Sequence, residues 1–107
     1  MVNGAVKNTK NLIKVDKDYD TILKTICKKA SKLDEKEMWH FFQAFFTPSE
    51  LEDFCNRYLI VKNLVEGKSQ HETAKNVGVS LMKVGAGVKE LKYKHGKHIF
   101  EKFILEK

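Results

Sequence analysis

The sequence predicts an all-α fold of about six helices, and three observations predict it. Apolar residues recur at three- and four-residue spacing in one segment after another. No apolar–polar alternation of the kind a half-buried strand needs persists anywhere. One proline and six glycines leave few breaks in 107 residues. That length suits one domain with a modest core, expected over residues 16–107 behind a flexible N-terminal arm at 1–15.

Each element has its own signal. From Asp16 onward, Tyr19, Ile22, Leu23, Ile26, Cys27 and Ala30 form one helical stripe. Asp34 with Glu37 is a D-x-x-E variant of the capping box and opens a second helix. Met38, Phe41, Phe42, Phe45 and Phe46 give that helix an apolar surface broad enough to exceed what a single small chain can bury, a first indication of a dimer. "TPSE" starts the third helix, with Thr47 as N-cap, Pro48 at N1 and Glu50 closing the box. Its stripe is Leu51, Phe54, Cys55, Tyr58, Val61 and Val65, widened by Leu59, Ile60 and Leu64, and Gly67 is the expected left-handed stop. Ser69 and Glu72 repeat the capping logic for a short helix to about Val77. Gly78 interrupts, and Ser80 caps a fifth helix reaching about Tyr93. Gly96 marks a turn, and a last helix from Lys97 to about Leu105 is expected to bury Ile99, Phe100, Phe103 and Ile104.

Composition excludes several function classes. At 42% hydrophobic and 32% charged residues, the chain has a globular balance rather than a disordered one. Its apolar runs are too short to span a membrane, and the basic N-terminus lacks the apolar core of a secretory signal. A cytoplasmic protein is expected. Cys27 and Cys55 form no C-x-x-C pair and are expected as reduced core thiols. His95 and His98 have no carboxylate or cysteine near them in sequence to complete a metal site, and are expected to face phosphate or solvent. No Ser/His/Asp set, metal cluster or phosphate-binding glycine loop suggests an enzyme. The acidic run Asp34, Glu35 and Glu37 fits a helix N-terminus better than acid–base chemistry.

The formal charge of +6 is unevenly spread. Residues 1–32 carry eight lysines against three aspartates, and residues 33–67 carry three basic against seven acidic groups. Residues 68–98 then carry seven lysines against Glu72 and Glu90. A lysine-rich stretch is often only a solvated face, but positive charge concentrated beside an acidic block favours a surface directed at phosphates.

Residues Gln70–Lys89, within a unit of about 70–93, have the layout of a helix-turn-helix. Two short helices that cross steeply need a small residue where they touch, here Ala74, and a glycine where the backbone takes positive φ, here Gly78. Val77 and Val79 flank the turn, and Val84 pins the second helix from beneath. Helical hairpins with a glycine turn also occur outside DNA-binding proteins; the local charge favours DNA. In that mode the second helix enters the major groove with its N-terminal residues at base edges. Those residues are Ser80, Leu81, Met82 and Lys83, with Gly85 on the next turn. Leu81 and Met82 can touch thymine methyls, and Lys83 can reach a guanine edge or a phosphate. Gln70 and His71 would meet backbone phosphate at a helix N-terminus. Lys75, Lys89, Lys92 and Lys94 would supply salt-dependent affinity.

The stretch "FFTPSELEDFCNRYLIVKNLVEGKSQHETAKNVGVSLMKVGAGVKELK" resembles the Trp repressor family over roughly residues 41–92. The resemblance rests on Thr47-Pro48-x-Glu50, "NRYLIV", Glu66-Gly67, Ser69-Gln70-x-Glu72, and Gly87 followed by Leu91-Lys92. It implies an intertwined helical homodimer that presents two helix-turn-helix units to a palindromic operator in double-stranded DNA. It also implies L-tryptophan, or an analogue, as a corepressor that orients those units. By the same resemblance Thr47 would form part of the pocket rim, Val61 an apolar wall, and Gly87 and Glu90 its far side. Arg57 matches the arginine that stacks on the indole. As the only arginine among twenty basic residues it suits a planar stack better than lysine would. An ion pair of Arg57 with Glu50, Asp53 or an acid of the partner is an equal alternative.

The chain departs from the family's pattern at the same pocket. Ala86 stands where a second arginine completes the indole sandwich and engages the ligand carboxylate. Gly85 stands where a threonine contacts the operator, and Glu90 where a serine helps hold the ligand's amino group. The turn before the first DNA-binding helix is one residue shorter. The expected function is therefore a sequence-specific DNA-binding transcriptional repressor whose tryptophan site is degenerate or altered. The rival is a protein- or RNA-interaction module that uses the helix-turn-helix as a docking surface, favoured by the small residues of "VGAGV". Two glycines in one helix, each costing about 1 kcal/mol relative to alanine, further predict a second helix of weak intrinsic stability.

Overall fold

The structure, a computed structural model, describes residues 17–93 and 96–105, with the side chains of 90–93, 96 and 97 outside that description. The expected arm at 1–15, with Lys94 and His95, also lies outside it. Among the described residues there are six helices and no strand. They are α1 (Tyr19–Ala30), α2 (Glu35–Phe45), α3 (Pro48–Val65), α4 (Gln70–Val77), α5 (Leu81–Tyr93) and α6 (Gly96–Leu105). The all-α expectation holds. The described residues fall into two compact units that divide between Trp39 and His40.

In the first unit α1 starts at Tyr19 because Asp18 is its cap. One Asp18 oxygen accepts from the Thr21 N–H at 3.1 Å and the other from the Thr21 hydroxyl at 2.6 Å. These bonds favour the carboxylate and hold its pKa below the ordinary aspartate value. The stripe read from the sequence is present, but Tyr19, Ile22, Leu23 and Ile26 are all exposed. The start of α2 is the expected reciprocal cap. Glu37 N–H donates to Asp34 at 2.8 Å, and Asp34 N–H to the Glu37 carboxylate at 3.0 Å.

The second unit is organised by α3, against which α4, α5 and α6 all pack. Thr47 caps α3 as predicted, its hydroxyl accepting from Glu50 N–H at 3.1 Å while Glu50 accepts from Thr47 N–H at 2.8 Å. Phe42 of α2 stacks on both Phe46 and Phe54, with ring centroids 5.6 and 5.4 Å apart. The far end of α3 closes on Gly67 at φ +89°. There Lys68 N–H reaches the Asn63 carbonyl at 3.0 Å and Gly67 N–H the Leu64 carbonyl at 3.1 Å, the two bonds of a Schellman stop.

The core of this unit is small: Ile60 and Val61 of α3, Val84 of α5, and the polar Thr73 of α4. Several residues expected inside are outside. Ile99 and Phe103 of α6 are exposed, while Phe100 and Ile104 are half-buried. Cys27 and Cys55 are free, as expected, but exposed rather than core thiols. Helical periodicity marks the face that prefers cover; it does not say whether the same chain supplies the cover.

Candidate nucleic-acid interface and adjoining cleft

Local chemistry builds the α4–α5 unit. Ser69 Oγ accepts from Glu72 N–H at 3.1 Å, and Glu72 returns the bond by accepting from Ser69 N–H, also at 3.1 Å. The Ser69 N–H bond is the main reason that the Glu72 carboxyl lies below its ordinary pKa, with a smaller contribution from nearby Lys68. Thr73, fully buried, donates its hydroxyl to the Ser69 carbonyl at 2.8 Å, so its polar atom is satisfied inside. Asn76 donates to the Asn63 side chain at 3.0 Å, and Asn63 donates to the Leu59 carbonyl at 2.8 Å. That chain of bonds fastens α4 to α3.

The turn between the helices is the expected glycine turn, with Gly78 left-handed at φ 78° and ψ 38°. The Ala74 carbonyl accepts from Gly78 N–H at 2.9 Å and Val79 N–H at 3.1 Å. The small side chain of Ala74 is half-buried, and the fully buried position of α4 is its neighbour Thr73. Ser80 Oγ then accepts from Lys83 N–H at 3.2 Å and starts α5. Val84 is fully buried and anchors α5, as anticipated.

The two glycines of "VGAGV" differ in environment. A Cβ on Gly87 would stand 2.7 Å from Ile60 Cγ2, so α5 crosses α3 too closely for any side chain there. A Cβ on Gly85 would meet nothing within 4 Å. One glycine is a packing requirement and the other is not.

The residues expected at DNA fall into two groups. Gln70, His71, Lys75, Ser80, Leu81, Met82 and Lys89 are exposed, with Met82 86% and Leu81 44% accessible. Gly85 is half-buried beside open space. Lys83 is exposed as well but also lines a cleft of about 250 Å³ between α3 and α5, standing 3.9 Å from the Asp53 carboxylate. The Lys92 side chain lies outside the described residues.

That cleft is lined by Asp53, Asn56, Arg57 and Ile60 of α3 and by Lys83, Ala86 and Gly87 of α5. Of the five residues expected at a ligand pocket it contains Arg57 and Gly87. Thr47 is not part of its lining and spends its hydroxyl on the α3 cap. Val61 is 1% exposed and lines a second, apolar cleft with Phe54, Tyr58 and residues of α6, and Arg57 lines that cleft as well. The Glu90 side chain lies outside the described residues. Among the described residues Arg57 forms no ion pair, since Asp53 is paired with Lys83 and Glu50 with the Thr47 N–H. Asn56 was missed by sequence reasoning. The signal was the spacing 53, 56, 57 and 60, one stripe of α3.

A capped short helix, a left-handed glycine and a second helix pinned across a third define a helix-turn-helix protein. Residues 10–105 match the family described as Trp repressor protein. The chain belongs to the Trp repressor family. It is 38% identical over 69 residues to the Trp operon repressor homolog of Chlamydia trachomatis serovar D, covering 64% of this chain and 71% of that protein. The homolog of serovar A matches to the same extent, and that of serovar L2 is 36% identical over 69 residues. No solved structure gives a significant match. No described helix is long and apolar enough to cross a membrane.

Proposed function

We propose that the protein is a cytoplasmic, homodimeric, sequence-specific DNA-binding regulator of repressor type whose tryptophan site is altered. The observation that carries this reading is the α4–α5 unit: a rigidly capped turn presents the exposed first turn of α5 from a lysine-rich segment. In it, Ser80, Leu81, Met82 and Gly85 approach the bases of a palindromic operator. Gln70 and His71 at the α4 N-terminus, with Lys75, Lys89 and Lys92, hold phosphate. A second copy of the chain completes the domain expected over 16–107 by covering apolar residues that one copy leaves exposed.

The cleft argues against tryptophan as an obligatory corepressor. It offers one guanidinium, Arg57, and opposite it the methyl of Ala86 rather than a second planar cation. Asp53, beside Lys83, brings a carboxylate into a cleft that would otherwise present only cations to a ligand carboxylate. The exposed Lys83–Asp53 pair spans α3 and α5 across the cleft at 3.9 Å, in keeping with DNA binding that needs no ligand. Selecting bound sites from random duplex DNA, with and without L-tryptophan, tests both statements. The expected result is one palindromic site recovered in both conditions. A site recovered only with L-tryptophan, or a saturable micromolar heat in calorimetry, defeats ligand independence. Binding without sequence preference at every salt concentration favours an interaction module for protein or RNA.

A further inference from the structure

We propose that Met82 is the specificity-determining residue of this surface and that it selects the C5-methyl group of thymine. This rests on the DNA-binding reading above and deepens it. Met82 lies on the side of α5 opposite the buried Val84, two residues being a little over half a helical turn. At 86% accessible it is far more exposed than a thioether side chain prefers, at the first turn of the helix. Leu81 beside it is 44% accessible.

What surrounds Met82 decides the kind of readout. Donor–acceptor recognition of a base edge uses Arg, Lys, Asn, Gln, Asp or Glu. Between Leu81 and Ala86 the one side chain of that class is Lys83, and it lines the cleft beside Asp53 instead of sharing the outward face. Ser80 Oγ is engaged as the α5 cap. Gly85, next along the outward face, and Ala86, at the edge of the cleft, have no polar atoms beyond the backbone. The open space at Gly85 lets the helix lie deep in the groove, bringing the Met82 thioether against whatever projects from the bases. In the major groove the apolar projection is the thymine methyl. Lys75 on α4 and Lys89 two turns along α5 supply charge complementarity to DNA, which an apolar protein partner would not provide.

The test uses the full chain and the duplex recovered by site selection. Each thymine of the half-site is replaced in turn by deoxyuridine, which keeps every hydrogen-bonding group and lacks the methyl, and affinity is measured by fluorescence anisotropy. At one position per half-site the wild-type protein should lose about fourfold, the factor equivalent to about 0.8 kcal/mol for one buried carbon. Replacement in both half-sites should give about the product. Met82→Ala should bind the thymine duplex as weakly as the wild type binds the uracil duplex, and should show no further loss on uracil. Because Met82 is so exposed, this variant should keep the wild-type circular dichroism and melting curve. Sequence-selective binding with no uracil penalty overturns the methyl readout and leaves DNA binding standing, as does a Met82→Ala protein that keeps the thymine preference. Failure to bind any duplex overturns both.

Discussion

Gly87 and Ile60 approach so closely that a Cβ on the glycine would stand 2.7 Å from Ile60 Cγ2. Ile60 is 4% exposed, and Cγ2 branches directly from its Cβ, so this methyl cannot swing aside as the end of a long side chain could. The contact sets how α5, the helix assigned to DNA, lies across α3. Gly87→Ala gains about 1 kcal/mol of helix propensity but overpacks a tight contact at about 1–3 kcal/mol. The expected net is a loss of about 1 kcal/mol in urea unfolding. In an Ile60→Ala background, itself destabilised by a core cavity, adding Gly87→Ala should cost less than it does in the wild type, because the clashing methyl is gone. A Gly87→Ala protein as stable as the wild type would show that the helices do not meet this closely.

Gly85, two residues earlier, should behave in the opposite sense. Nothing lies within 4 Å of an added Cβ, and its φ is not left-handed, so alanine meets no steric penalty. Gly85→Ala should stabilise the protein by about 1 kcal/mol and slow amide exchange along α5 in the free protein. If the glycine serves close approach to bases, the same variant should bind the selected operator less tightly despite its greater stability. A destabilised variant would mean that this face is covered in the assembled protein.

The contrast between these glycines also shows what the sequence carried and what it did not. The caps at Asp34/Glu37, Thr47/Glu50 and Ser69/Glu72 were legible because both partners lie within one turn of chain. Gly67 and Gly78 were legible because a left-handed stop is a local demand. Gly87 could not be told from Gly85, because its constraint comes from Ile60, twenty-seven residues away on another helix. For the same reason the sequence leaves Lys83 a choice of guanine edge or phosphate and gives no sign of Asp53 on α3, 3.9 Å from it. Val61, expected at an apolar pocket wall, shares with Arg57 the cleft against α6, since a stripe as broad as that of α3 has more than one neighbour. The exposed Cys27, Cys55, Ile99 and Phe103 mark the last gap. Apolar spacing predicted that these faces prefer cover, but it does not say whether the same chain or another supplies it.

The α4 cap predicts a defined pH dependence. The Ser69 N–H bond stabilises ionised Glu72, so the folded pKa is depressed relative to the unfolded chain. A depressed carboxylate contributes stability fully above its unfolded value, about 4.3, and loses it as pH falls through the lower folded value. Amide protection in the first turn of α4 should therefore decline in that acidic window, with no change attributable to Glu72 at neutral pH. Glu72→Gln keeps an acceptor for the Ser69 N–H but cannot titrate, and should flatten this part of the profile. The measurement is an NMR titration of the Glu72 side chain alongside hydrogen exchange. A Glu72 carboxyl titrating at or above 4.3, the free glutamate value, would remove the basis of this expectation.

The final prediction concerns the second copy. In one chain Phe45 is 73% and Phe103 69% exposed, and Phe54, Tyr58 and Ile99 are uncovered as well. Isolated exposed apolar residues are ordinary, but Phe54, Tyr58, Ile99 and Phe103 line one apolar cleft, and the proposed second copy is expected to cover it. An obligate dimer ties folding to association, so the melting temperature should rise with protein concentration by mass action. Sedimentation should show a dimer at micromolar concentration and no folded monomer on dilution. Phe103→Glu places a charge on α6, where Phe103 stacks edge-on against Tyr58 at 6.0 Å. That charge should cost little within one chain, where Phe103 is mostly in solvent, and much in an interface that buries it. The variant should therefore lose dimerisation and cooperative unfolding together, whereas Lys102→Glu, also on α6 and exposed, should lose neither. A Phe103→Glu protein that remains folded with a concentration-independent melting temperature would show that the chain stands alone.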